Sequence, residues 1–117
     1  MEEKLITFDT AKLAKEKGFN EPCKWYMKDG IDLSESNETN DFLFEGYLSA
    51  PSQSLLHKWL REKHYLTVRV HRDYDGWAYM IEEFKSGNKM IKGGSAEMPD
   101  YEVEFEKGLQ EALKLIS

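Results

Sequence analysis

Cysteine is nearly missing from this 117-residue chain, in which Cys23 stands alone. An internal disulfide and a cysteine-rich zinc site are therefore excluded, and a reducing compartment is expected. No histidine lies near Cys23 in sequence, which favours a half-buried strand residue over a nucleophile. Proline is scarce, at three residues, and with 40% hydrophobic and 13% aromatic residues the composition is that of a packed domain rather than a disordered tail. No apolar run approaches the roughly 20 residues that cross a bilayer. The opening MEEKLITF is acidic where a secretory signal is basic, so a cytoplasmic protein with no membrane partner is expected. A surplus of positive charge is also missing: the net charge of −6 opposes a protein whose whole surface grips nucleic acid. The length predicts a single domain, 1–117.

What is present reads as alternating strands and helices. Lys4–Thr7 suits a first strand, and a helix over 8–17 follows, with Thr7 as N-cap and Gly18 and Phe19 closing it in a Schellman arrangement. Cys23–Met27 and Ile31–Leu33 flank Asp29-Gly30 as a hairpin. The run 34–41, SESNETND, has no apolar residue and is expected to be a flexible polar loop. Phe42–Phe44 and Gly46–Leu48 are apolar enough for a third strand or an extended cover over the core. Leu55, Leu56, Trp59 and Leu60 recur at helical spacing within 51–64, Pro51 being tolerated in a first turn. Leu66, Val68 and Val70 then alternate with Thr67, Arg69 and His71, which predicts a hairpin of about 66–72 and 77–84 around Asp73–Gly76. A short edge strand at 89–91 and a flexible Gly93-Gly94-Ser95 link lead to a last helix over 99–116. Its apolar stripe is Tyr101, Phe105, Leu109, Ala112 and Ile116, its glutamates lie mostly off that stripe, and Gly108 allows close approach of another element. The fold class is therefore α+β: a mostly antiparallel sheet of about four to six strands with three helices (8–17, 51–64, 99–116) packed on one face.

Three motifs, ITFDTAKLAKEKGFNEPC, YLSAPSQSLLHKWLREKH and YEVEFEKGLQEALKLI, together resemble a family of short proteins from phages and other mobile elements of gut anaerobes. The resemblance covers most of the chain. No activity, cofactor or ligand is established for that family, so it implies a setting and not a mechanism.

All three arginines and all three histidines fall between His57 and Arg72. Lys58, Arg61, Lys63, Arg69 and Arg72 there oppose Glu62 alone, while both flanking segments are net acidic. His57, Lys58, Arg61, Lys63, Arg69, His71 and Arg72 are accordingly the candidate binding residues, forming a basic patch if helix and hairpin pack side by side. The competing reading pairs these cations with the protein's own acids. His57, His64 and His71 lack the spacing of a zinc site. Asp73 and Asp75 beside His71 are ordinary turn residues, and Lys92-Gly93-Gly94-Ser95 lacks the spacing of a phosphate loop. No catalytic residue, metal or cofactor is expected. The sequence thus predicts a non-enzymatic binding protein acting on a protein partner, with nucleic-acid binding through 57–72 as the alternative.

Overall fold

The computed structural model describes residues 4–23, 25–28, 32–35, 47–73, 76–85, 87, 89–98 and 100–116. They form an α+β fold with three helices and two three-stranded antiparallel sheets. The six strands are thus divided between two sheets. The contacts group into two compact units, Met1–Leu55 and Leu56–Ser117.

The first unit opens with Lys4–Thr7, which forms no strand and instead bridges to the segment before the second helix. Leu5 pairs with Ser52, Ile6 N–H donates to the Pro51 carbonyl at 3.0 Å, and Gln53 N–H donates to the Lys4 carbonyl at 2.8 Å. Helix α1 (Phe8–Glu16) begins at Thr7, whose hydroxyl accepts from Thr10 N–H. Its end is the expected Schellman motif. Phe19 N–H donates back to the Ala14 carbonyl at 2.9 Å and Gly18 N–H to Lys15 at 3.1 Å, with Gly18 at φ +94°. Phe19 is fully buried with Ala11 and Ala14, so the motif fixes both the stop and the core contact.

Strand β1 (Trp25–Lys28) lies between β2 (Asp32–Glu35) and β3 (Tyr47–Ser49), antiparallel to both. Ser34 and Glu35, expected in the polar loop, pair with Tyr26 and Trp25 in β2; the rest of that loop, 36–41, and Phe42–Phe44 lie outside the described residues. Cys23 is buried just ahead of β1, its thiol donating to the Glu21 carbonyl at 3.4 Å.

Helix α2 (Gln53–His64) starts two residues later than expected. Pro51 precedes it, and Ser52 caps it, its hydroxyl accepting from Leu55 N–H at 3.1 Å. Leu56, Trp59 and Leu60 are buried, as the helical spacing implied. Tyr65 then takes φ +56°, a left-handed residue that turns the chain straight into a strand.

In the second unit, β4 (Leu66–Asp73), β5 (Gly76–Glu83) and β6 (Lys89–Met98) form the other sheet in that order. The β4–β5 register runs unbroken from Leu66 opposite Glu83 to Asp73 opposite Gly76. Strand β6 is far longer than the expected 89–91, and it runs through Gly93 and Gly94 instead of ending at a flexible link. The reason lies across the ladder: Gly94 faces Tyr79, and a Cβ there would stand 2.8 Å from the Tyr79 hydroxyl oxygen. Glycine leaves room for the aromatic side chain to lie over the neighbouring strand.

Helix α3 (Tyr101–Lys114) packs against this sheet and starts at Asp100, whose carboxylate accepts from Glu102 and Val103 N–H. Gly108 permits the packing: a Cβ at that position would come within 2.6 Å of Val68 Cγ1 and 3.1 Å of Tyr79 Cβ. Phe105, Leu109, Ala112 and Ile116 are buried as expected, whereas Tyr101 of the same stripe is exposed, and Glu104 and Glu106, expected off the stripe, are buried.

Candidate functional site

Alternation along β4 decides which of the candidate residues share a surface. Val68 faces α3, since its methyl group meets Gly108, and side chains of a strand alternate between faces. Arg72, four residues on, is therefore on the α3 side, whereas Arg69 and His71 project from the opposite face. The contacts agree. Arg72 lies over the Trp77 ring at 5.8 Å, and Trp77 meets Tyr101 of α3 edge-on at 5.2 Å. Arg69 instead pairs with Glu82 at 3.4 Å across the other side of β5. The sheet itself divides Arg69 from Arg72, and these two do not share one surface.

The helical members have separate partners. Lys58 pairs weakly with Glu62 along α2 at 3.9 Å, and Lys63 is exposed. Arg61 Nη1 stands 2.9 Å from His57 Nδ1. His57 itself turns inward to β4, the edge strand: Val68 N–H donates to Nε2 at 3.0 Å, Thr67 Oγ1 lies 3.2 Å away, and Phe105 of α3 meets the ring edge-on at 5.3 Å. Burial, and then the charge of Arg61, push the His57 pKa down to about 4, so the ring is neutral.

A neutral imidazole has one accepting nitrogen, and His57 faces two groups that can only donate. If Nε2 accepts from Val68, Nδ1 carries the proton and meets Arg61 donor to donor. In the other tautomer Nδ1 accepts from Arg61, Nε2–H donates to Thr67, and the Val68 N–H loses its partner. Water solvates the exposed guanidinium but not a half-buried strand donor, so the first tautomer is favoured. His57 is therefore a structural acceptor closing the β4 edge, a role that helical spacing alone did not signal. Trp59 stacks edge-on against His64 at 4.8 Å, and His71 is exposed on β4. Among the described residues, no group of three or more His, Cys, Asp or Glu side chains could hold a metal ion, and no helix is long and apolar enough to cross a membrane.

No family model, curated protein or solved structure matches the chain.

The sheet face opposite α3 carries the remaining exposed candidates. The β4–β5–β6 register places Arg69 and His71 there with Met80, Glu82 and Met90, Met90 standing opposite Glu82. Among the described residues Met90 is the most exposed of the large apolar ones, at 60%, and Ile91 beside it is exposed at 41%. Ile91 is the extra residue of an irregularity at Ile81/Glu82, and a second irregularity falls at Trp77/Ala78. Such bulges interrupt the outer edge of β6 and oppose the addition of another strand. What this face offers is side chains: a flexible thioether on β6 opposite Glu82, and one arginine and one histidine on β4.

Proposed function

We propose that the protein is a non-enzymatic binding protein of phage or mobile-element origin that engages a protein partner through the face of β4–β5–β6 opposite α3. The observation that carries this reading is the exposure of Met90 on the face that also bears Arg69 and His71. Methionine adapts its shape to an apolar partner at little cost, and Arg69, 62% exposed although its Nε pairs with Glu82, keeps guanidinium donors for an acceptor on the partner. The resemblance of the three sequence motifs to phage proteins supplies the setting.

Nucleic-acid binding through 57–72 has less support. A phosphate track needs its cations on one surface, and here Arg69 and Arg72 occupy opposite faces, Arg69 beside Glu82. The test is capture from the native host on immobilised protein, with Met90→Asp as the comparison. A partner retained by the wild type and lost by a variant of unchanged circular dichroism supports the proposal. A wild type that returns no reproducible partner, or a variant that keeps it, contradicts the proposal, and retention of salt-sensitive nucleic acid favours the alternative.

A further inference from the structure

A second cluster of charge, on the α3 side of the same sheet, has no part in the proposed docking face. Glu111 of α3 holds three lysines. Lys92 of β6 and Lys114 reach its Oε2 at 3.3 and 3.6 Å, and Lys107 reaches Oε1 at 3.6 Å. The carboxylate is nearly covered, at 12% side-chain exposure, while the lysines are 39 to 55% exposed. An arriving anion therefore meets ammonium groups before it meets the carboxylate. Three cations against Glu111 and the buried Glu104, whose charge also reaches Tyr79, leave a surplus of one positive charge in a protein whose net charge is −6. Each ammonium carries three donors, and its contact with Glu111 leaves the others open.

Tyr79 adds a neutral donor. Its side chain is held by two glycines: Gly108 admits its root, Gly94 its hydroxyl end. Lys92 and Gly94 sit on the same face of β6, two residues apart, and Gly94 faces Tyr79 across the ladder. Burial, with the charges of Glu111 and Glu104, raises the Tyr79 pKa against the opposing effect of Lys92, so the phenol keeps its proton. The elements that carry these groups, β5, β6 and α3, are packed together, and the cluster is assembled before any ligand arrives.

We propose that Lys92, Lys107 and Lys114, gathered on Glu111 beside the Tyr79 hydroxyl, form a binding site for a dianionic phosphate group. The ligand is a phosphate or a small phosphomonoester, matched by ammonium donors from β6 and from two positions on α3. Glu111 is a positioning residue that gathers the lysines.

The test is an NMR titration at pH 8 with inorganic phosphate and, separately, with glycerol phosphate, each against chloride at equal ionic strength. Saturable shifts around Lys92 and along the last turns of α3 are expected, with the tighter ligand identifying the source of the phosphate. Lys92→Ala with Lys114→Ala is expected to weaken binding at least about fivefold, and Lys58→Ala to leave it unchanged. Melting temperatures in chloride report the stability of each variant separately. Shifts that match those in chloride, or that survive unchanged in the double variant, overturn the proposal.

Discussion

The Nε2 atom of His57 accepts a hydrogen bond from the Val68 backbone N–H at 3.0 Å. A helix side chain thereby satisfies a donor on the outer edge of β4, and this bond exists only while the ring is neutral. With the folded pKa near 4 against an ordinary 6.5, the unfolded chain takes up a proton between these values that the folded protein refuses. Stability from His57 is complete above pH 6.5, falls as the pH drops, and levels off below about 4. The loss is about 2 kcal/mol after solvent screening of the half-buried ring. Urea denaturation at pH 7.5 and 4.5 checks it: His57→Gln, whose amide oxygen can also accept, is expected to show the shallower pH dependence. Equal slopes would remove His57 from the account.

The same geometry fixes the tautomer. Nitrogen shifts of the imidazole are expected to show the proton on Nδ1, and Arg61→Ala is expected to leave both tautomer and stability nearly unchanged. A proton found on Nε2 would mean that Arg61, not Val68, holds the ring.

Gly108→Ala sets helix propensity against packing. An exposed helix gains about 1 kcal/mol from this change, but here the added Cβ would lie 2.6 Å from Val68 Cγ1. Overpacking of this kind costs about 1–3 kcal/mol, so net destabilisation is expected in thermal or urea melts. A more stable variant would show that α3 can lift from the sheet without cost.

Cys23 is expected to be inert. Burial, helped by the Glu21 charge and opposed by the Ser49 hydroxyl, raises its pKa to about 11, leaving little thiolate at neutral pH. A disulfide reagent at pH 8 should label the native protein far more slowly than the protein in urea. Comparable rates would place the thiol at the surface.

Much of this fold is legible in the residue pattern, because its signals are local. Thr7, Gly18 and Phe19 specify both ends of α1 through bonds spanning a few residues, and the alternation of Leu66 to Arg72 specifies β4. That alternation also carried the division of the arginines, since Arg72 shares parity with Val68 and Arg69 does not. Where non-local contacts decide, the pattern is silent. Gly93-Gly94 reads as a linker until Tyr79 lies across it, Glu104 and Glu106 read as solvated until α3 packs, and His57 reads as a surface residue until the β4 edge meets it. The placement of Met90 on the face opposite α3 is likewise a product of register between β5 and β6.

The central claim, that partner binding uses one face of the β4–β5–β6 sheet, is tested most directly by charge reversal on each side of β4. Arg69→Glu and Arg72→Glu change the net charge equally, and capture of the partner identified with the wild type is compared for the two, with circular dichroism confirming that both fold. The account predicts that Arg69→Glu loses the partner while Arg72→Glu retains it. Equal loss, or loss with Arg72→Glu alone, would contradict it.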